Sequence, residues 1–248
     1  MRAHVASTAV GFSPTAITPS DFGLRSEPPT HPDLLDYLAS DFIGHGWSLK
    51  RLHREIVLSA VYRQASFDTA DGLKGDPQNV WLWKMNRRRL DFEATRDALL
   101  AVAGRLDSKL GGQPFKSITD PAGSRRTIYA FVDRLNLPGL FRTFDFPNPD
   151  ATCPQRDATT VPQQALYLMN SPLVIQAARH FLARPEVAGE TDPETKVTRM
   201  IRLAFGREPA AEEMEWSRDL LKDAGARSAL WDEFAQGLLL ANEFVFVD

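Results

Sequence analysis

Residues 144–166, FDFPNPDATCPQRDATTVPQQAL, contain the side chains of this chain that are best suited to chemistry. Asp145, Asp150 and Asp157 could supply the paired acid and base of a hydrolase. A glycoside hydrolase places two carboxyl groups about 5 to 10 Å apart, a distance that a sequence does not fix. We favour the simpler interpretation that these aspartates accept hydrogen bonds from backbone amides in turns or at helix starts.

The same segment holds the only cysteine of the chain and one arginine. Cys153 could act as a nucleophile, with Arg156 favouring its thiolate form, but no histidine lies near it in sequence to serve as the base. Arg156 could hold an anion or a sulfated sugar, although such an arginine more often ties a loop to a carboxylate. We therefore take Asp145, Cys153, Arg156 and Asp157 as candidate binding residues and assign no catalytic residue.

The sequence predicts neither a metal site nor a cofactor. Asp41 and His45 are four residues apart, a spacing that can place two ligands on one helix face. Two ligands do not make a site, and His45 lies between glycines in a predicted turn. A single cysteine excludes CxxC zinc pairs, CxxCH haem attachment and an intrachain disulfide.

The composition is that of an ordinary globular protein. The chain has 248 residues, 43% of them hydrophobic and 25% charged, and a net charge of -3. This balance of charges creates no electrostatic field that would attract nucleic acid. No apolar run is long enough to span a membrane. The N-terminal residues MRAHVASTAVGF also lack the continuous apolar segment of a secretory signal.

Three consecutive arginines at 87–89 could bind phosphate or nucleic acid. Acidic residues at 91, 93 and 97 follow them at once, so the local charge is balanced. We expect a salt-bridge network at a helix start here and no nucleic-acid site.

The N-terminal half predicts helices separated by polar loops. A helix capped by Thr30 or His31 continues to Phe42, and a second starts after Ser48 and packs on the first as an antiparallel hairpin. A third starts at Asp91 and ends at the glycines 111–112. Residues 1–30, 66–79 and 111–124 are predicted to be irregular or loops. Residues 80–90 and 125–135 are ambiguous between strand and helix, and the second of these favours a strand by propensity.

Residues 144–166 lead into a helix. Thr160 is its expected N-cap, Pro162 lies in its first turn and Gln163 completes a capping box. Asn170 ends this helix, and Ser171 with Pro172 starts the next.

Three more helices are predicted in the C-terminal part. The first is capped by Thr191 or Asp192, starts at Pro193 and ends at Gly206. The second runs from Pro209 to Gly225, and the last covers residues 228–248. The fold class is therefore mainly α, a multi-helix globular bundle in two lobes with at most a small strand element. After the irregular residues 1–30, a single helical domain covers 31–248, with lobes at about 31–143 and 160–248 joined by the proline-rich segment.

Several long blocks resemble one known family, the planctomycete-type domain of unknown function 1553. The resemblance covers residues 18 to 248 and includes the C-terminal LLLANEFVFVD. The blocks follow one another in order: TPSDFGLRSEPPTHPDLLDYLASDF, GWSLKRLHREIVLSAVYRQAS, NRRRLDFEATRDALLAVAGRLD and FDFPNPDATCPQRDATTVPQQALYLMNSP.

The resemblance implies a setting and no activity. Family members look like large exported proteins of planctomycetes and related bacteria, with this domain at the C-terminal end and sometimes a cytochrome-c-like module. A periplasmic or extracellular location follows from the resemblance, as does the expectation that this chain is a fragment of a longer protein. It has no haem motif of its own, so no electron-transfer role carries over.

Two functions remain open at this point. The first is a structural or interaction role, in which the chain binds other modules of its parent protein. The alternative is an accessory or catalytic domain in extracytoplasmic polysaccharide degradation, with Asp145, Arg156 and Asp157 lining the site. The carbohydrate bound by such a domain could stack on aromatic rings, although such rings more often form a core. The rings in question are those of Trp81, Trp83, Phe141, Phe144 and Phe146.

Overall fold

The computed structural model of this protein describes residues 28–153, 156–222 and 228–247. These residues form twelve α-helices, one short 3-10 helix and one two-stranded sheet. The expected fold class, mainly α with at most a small strand element, is therefore confirmed. No helix among the described residues is long and apolar enough to cross a membrane. The predicted irregular segment 1–30 lies, apart from 28–30, outside the described residues.

The chain forms two compact units. Unit 1 comprises residues 1–88, 152–156 and 248, and unit 2 comprises residues 89–151 and 157–247. The lobes expected at about 31–143 and 160–248 stay a prediction.

Unit 1 contains three helices, α1 (Pro32–Gly44), α2 (Leu49–Leu58) and α3 (Ala70–Gly75). Ser48 caps α2 as predicted, since its side chain accepts a hydrogen bond from the N–H of Arg51. Helix α3 corrects the prediction of a loop over 66–79. Thr69 starts this helix by accepting a hydrogen bond from the N–H of Gly72. A small apolar core then joins α1 to α2 through Leu38, Leu52 and Ile56.

Segment 80–90, which was ambiguous between strand and helix, is almost entirely loop. Two buried polar side chains hold its backbone in place. Asp76 accepts hydrogen bonds from the N–H groups of Val80 and Trp81, at 2.9 and 2.7 Å. The Nδ2 of Asn79 donates to the carbonyl of Lys84 at 2.8 Å. These bonds satisfy backbone groups that a helix or a sheet would otherwise pair. Only β1 (Arg88–Arg89) is a strand, and it pairs with β2 (Phe246–Val247).

Unit 2 contains the main hydrophobic core, in which the helices α7 (Pro172–Leu182) and α11 (Ala229–Leu240) pack together. Val174, Phe181, Met200 and Ala235 are completely buried there. Besides a 3-10 helix (Thr127–Tyr129), the helices of this unit are α4 (Phe92–Val102), α5 (Gly139–Thr143), α6 (Pro162–Asn170), α7 (Pro172–Leu182), α8 (Pro185–Ala188), α9 (Pro193–Phe205), α10 (Ala211–Leu221), α11 (Ala229–Leu240) and α12 (Asn242–Val245).

Four consecutive helices of this unit, α6 to α9, begin at a proline. Proline suits this position because its φ angle is already helical and its missing N–H would have no partner in the first turn. The predicted limits of α9 are confirmed, with Asp192 accepting from the N–H of Thr195 and Gly206 in the left-handed conformation that ends a helix.

Other predicted limits were wrong. Helix α4 ends at Val102 rather than at the glycines 111–112, because Gly104 follows it in the left-handed conformation, at a φ of +69°. Arg184 then donates to the last carbonyls, including that of Val102 at 3.0 Å. Helix α10 begins at Ala211, after the predicted Pro209. Its predicted end, Gly225, lies outside the described residues.

The start of α6 is also one residue later than predicted. Val161 rather than Thr160 is the N-cap residue, and Gln164 rather than Gln163 accepts from its N–H, at 3.4 Å. Valine has no side-chain acceptor, so only this half of a capping box forms. Pro162 fixes this register because it occupies the first helical position. The amide of Gln164 is buried and donates to the carbonyl of Thr143 at 2.9 Å, so the start of α6 is tied to the end of α5.

The strand favoured for residues 125–135 does not form, because two side chains of α4 bind this segment. Asp97 accepts hydrogen bonds from the N–H and the hydroxyl of Thr127, both at 2.7 Å. Arg96, which is 0% exposed, donates to the carbonyls of Ile118 and Arg125 at 3.0 and 2.8 Å and to the hydroxyl of Thr127 at 3.1 Å. These tertiary bonds outweigh the β propensity of the segment.

A clamp at the C-terminal end of unit 2 gives the stability a dependence on pH. Arg207 binds the carboxylates of Glu213 and Glu243 with hydrogen bonds of 2.6 to 2.8 Å. Hydrogen bonds from Arg207 lower the pKa of Glu213 below its ordinary value of 4.5. A carboxyl group whose pKa is lowered by folding stabilises the protein above its ordinary pKa and loses this effect as the pH falls below it.

We therefore expect Glu213→Gln to lower the free energy of unfolding by about 1 kcal/mol at pH 7, a value set by the partial exposure of the clamp. The difference from the unsubstituted protein should shrink as the pH falls from 5 towards 3 in urea titrations. The exposed neighbour Glu212, changed to glutamine, serves as the control and should have no such effect. If Glu213→Gln lowered the free energy of unfolding by the same amount at every pH, the assigned role of the Glu213 carboxylate would be contradicted.

Candidate functional site

Asp145, the first candidate binding residue, is bound on both carboxylate oxygens within unit 2. Its Oδ2 accepts from Nη2 of Arg89 at 2.8 Å and from the N–H of Thr159 at 2.9 Å. Its Oδ1 accepts from the hydroxyl of Thr159 at 2.7 Å. The side chains of Arg89 and Asp145 are each only 11% exposed. The carboxylate is therefore engaged by a guanidinium, a main-chain amide and a hydroxyl, which is how a structural aspartate is bound.

The backbone at Asp145 has an unusual conformation. Its φ angle is +58°, in the left-handed region that few residues other than glycine adopt. Asparagine and aspartate tolerate this region better than other side chains do. The turn lets the chain leave α5 while the carboxylate reaches forward to Thr159. Together with the bond from Gln164 to Thr143, it fixes the connection between α5 and α6.

The other candidate residues of the segment differ in their exposure. Asp157, also in unit 2, is exposed, as is Asp150. Cys153 and Arg156 belong to unit 1, where Cys153 is exposed and Arg156 is half-buried. Pro154 of this proline-rich segment lies outside the described residues. The binding roles of Asp145, Cys153, Arg156 and Asp157 stay predictions.

The aromatic residues that could have stacked on a sugar have different surroundings. Phe141 and Phe144 are buried and pack with Phe92 and Tyr167 in a second core of unit 2, at ring distances of 5.1 to 6.1 Å. Burial raises the pKa of the Tyr167 hydroxyl. Since the rings of this cluster face one another, they act as a core, which is the commoner role for such residues.

A polar cluster in unit 1 joins α1 to α2 and was not predicted from the sequence. Arg51 donates to both carboxylate oxygens of Asp41, at 3.2 and 3.3 Å, and the hydroxyl of Tyr37 donates to Glu55 at 2.8 Å. His45 Nδ1 also lies 2.9 Å from Asp41 Oδ1. The hydrogen bonds from Arg51 lower the pKa of Asp41, and the bond to Glu55 raises the pKa of Tyr37.

This cluster explains the Asp41–His45 spacing without a metal. Arg51 already lies against both oxygens of Asp41, where a cation would have to bind. The described residues contain no group of three or more histidine, cysteine, aspartate or glutamate side chains arranged to hold a metal ion. A signal was present in the sequence, because Tyr37 and Asp41 on α1 and His45 at its C-cap are spaced four residues apart and so share one face.

The turn between α1 and α2 displays a tryptophan. Trp47 is 61% exposed and has a φ angle of +62°, next to Gly46 at +68°. Its N–H donates to the carbonyl of Phe42 at 2.9 Å, and its ring packs edge-on against the Phe42 ring at 5.2 Å. Ile43 and Leu49, on either side of this turn, are also exposed. We call Ile43, Trp47 and Leu49 the corner surface.

Comparison with known proteins gives one match. The model of the PSD1 family, described as a protein of unknown function (DUF1553), matches residues 13–221. No curated protein and no solved structure matches the chain. The match spans most of the chain, including the polar cluster of unit 1 and the Arg89, Asp145 and Thr159 cluster of unit 2.

Proposed function

The chain belongs to the DUF1553 family, and we propose that it is a helical interaction module of a larger extracytoplasmic bacterial protein. In this role it binds neighbouring modules of the same parent protein. The location and the parent protein are proposed from the family resemblance. The observation that carries the interaction role is the exposed Trp47 at the centre of the corner surface.

Trp47 has two properties of an interface anchor. A tryptophan in the left-handed region is strained, and strain of this kind concentrates at functional positions. Tryptophan is also the residue type most enriched among the residues that dominate binding energy. Its exposed neighbours Ile43 and Leu49 make the corner an apolar surface, which marks interaction sites on soluble proteins.

The polar cluster beneath the corner gives it a fixed shape. The bonds from Tyr37 to Glu55 and from Arg51 to Asp41 hold α1 against α2. A surface that is already ordered loses less conformational entropy on binding than a flexible one. The polar cluster therefore supports binding indirectly and needs no chemistry of its own.

The test uses the module that adjoins this chain in the parent gene, purified and titrated against this chain by calorimetry. We expect Trp47→Ser to weaken binding about tenfold or more, as the loss of an anchor tryptophan does. Leu58→Ser is the matched control, because Leu58 at the far end of α2 is 59% exposed, close to the 61% of Trp47. It should leave binding unchanged.

Two results would overturn the proposal. One is the absence of binding to the adjoining module at micromolar concentrations. The other is binding that Trp47→Ser and Leu58→Ser alter equally, because the corner surface would then have no special role. Sugar release from polysaccharide by the purified chain would instead favour the hydrolase alternative.

A further inference from the structure

A loop region of unit 2, residues 105–135, exposes large apolar side chains to an unusual extent. Leu135 is 98% exposed, Leu110 is 78% exposed and Ile128 is 72% exposed. Phe131 and Val132 are exposed as well. Single exposed apolar residues are ordinary, but several in one loop region indicate an interaction surface. We call residues 105–135 the basic loop surface, for the charge described below.

The two halves of this surface lie side by side. The N–H of Phe115 donates to the carbonyl of Tyr129 at 3.1 Å, and the N–H of Phe131 donates to the carbonyl of Phe115 at 2.8 Å. The N–H of Gly111 donates to the hydroxyl of Tyr129 at 3.0 Å. Leu110 and Ile128, each next to one of these bonded residues, therefore lie on neighbouring segments of the loop region.

Two arginines, the buried Arg96 and the half-buried Arg125, hold this surface in place. Arg96 binds the backbone at Ile118 and at Arg125 from inside the unit. Arg125 in turn donates to the carbonyls of Gly111 and Gln113 and lies over the ring of Tyr129 at 4.5 Å. The apolar side chains thus project from a loop whose backbone is fixed, so ordering the loop adds little to the cost of docking.

The surface is basic although the whole chain is slightly acidic. Residues 105–135 contain six lysines and arginines and three aspartates, a net charge of +3, against -3 for the chain. The aspartates each accept a hydrogen bond from a nearby N–H of the same loop. The basic side chains at its exposed positions are those of Lys109, Lys116, Arg126 and Arg134.

We infer that the basic loop surface docks on an anionic lipid surface. Exposed leucine, isoleucine and phenylalanine side chains beside lysine and arginine are the combination that inserts into the interface of a bilayer with anionic headgroups. A leucine that is 98% exposed projects from the protein, and a fluid bilayer accepts such a side chain without a preformed pocket. A protein partner would need a matching apolar pocket for each projecting side chain, with acidic residues beside it. The inference goes beyond the interaction role proposed above.

The test is sedimentation of the full chain with vesicles. We expect binding to vesicles of phosphatidylcholine and phosphatidylglycerol at low salt, and little binding to phosphatidylcholine alone. Binding should fall steeply at about 0.5 M salt, because the attraction is screened. The pair of changes Lys109→Gln and Arg134→Gln should weaken binding about 25-fold, or about fivefold for each charge removed.

The apolar contribution is tested separately. Leu110→Ser with Leu135→Ser should weaken vesicle binding about tenfold or more, because two inserted side chains are lost. Leu166→Ser, an exposed leucine of α6 elsewhere in the same unit, is the matched control and should bind as the unsubstituted chain does. Trp47→Ser should also bind vesicles normally. A failure of lipid binding can therefore be distinguished from a failure of the proposed interaction role.

The inference is overturned if the chain does not sediment with phosphatidylglycerol vesicles at low salt. It is equally overturned if the Leu110 and Leu135 changes have no larger effect than Leu166→Ser. In either case an acidic protein surface becomes the better explanation of the basic loop surface.

Discussion

Replacing Arg96 by methionine should lower the free energy of unfolding by about 4 kcal/mol, the largest effect expected for any single change considered for this protein. Methionine has a similar length but no donors, so the carbonyls of Ile118 and Arg125 lose the hydrogen bonds that Arg96 gives them. A buried acceptor left without a donor costs about 1 to 3 kcal/mol. Asp97, 3.9 Å from the guanidinium, also loses its nearby positive charge.

The loss should be concentrated in the segment that Arg96 holds. Hydrogen exchange of the amides in residues 115–131 should become much faster in the variant, while amides of α7 and α11 keep their relative protection. Arg218→Ala is the control, since Arg218 forms a surface ion pair with Glu194 and its removal should cost at most about 1 kcal/mol. A loss below about 1 kcal/mol for Arg96→Met would contradict the assigned role.

Asp145→Asn should lower the free energy of unfolding by about 3 kcal/mol. Asparagine keeps the shape of the side chain and tolerates the φ angle of +58° at this position, so the change removes the charge and one of the two acceptor oxygens. Arg89, which is 11% exposed, would keep its positive charge with a neutral partner. An incompletely solvated charge without its counter-ion is strongly destabilising.

The control for Asp145 lies in the same segment. Asp150 is exposed, so Asp150→Asn should change stability by less than about 0.5 kcal/mol. Urea unfolding of both variants at neutral pH gives the comparison. If Asp145→Asn folded as stably as the Asp150 variant, the carboxylate would be free for another role and the hydrolase hypothesis would gain support.

Features that depend on local chemistry could be predicted from the sequence. The limits of α9 followed from Asp192, Pro193 and Gly206, because an N-cap, a first-turn proline and a left-handed glycine each act within a few residues. The Ser48 cap was predictable for the same reason. The mainly α fold class needed only the spacing of apolar residues along the chain.

Features set by distant residues were not predictable in this way. Arg89 and Asp145 are 56 positions apart, and the sequence placed Arg89 near acids of its own helix start instead. The strand favoured near residue 128 was lost to bonds from Arg96 and Asp97, about 30 positions earlier. Propensity describes one segment and carries no information about which buried side chain will bind it.

The polar cluster of unit 1 lies between these cases. The spacing of Asp41 and His45 was visible, and so was the four-residue spacing of Arg51 and Glu55 on α2. Which face of α2 meets α1 depends on the packing of Leu38, Leu52 and Ile56. The spacing within each helix therefore identifies a pair of polar residues on α1 and a pair on α2. It does not show that the two pairs contact each other.

The carboxylate of Asp145 holds the fold through its bonds to Arg89 and Thr159. A double-mutant cycle of Arg89→Met and Asp145→Asn, followed by urea unfolding, measures this directly. We expect the two changes to be coupled by about 2 kcal/mol, so that the double variant is far more stable than the sum of the single losses implies. Coupling near zero, with single changes that simply add, would show that the pair contributes nothing and would contradict the claim.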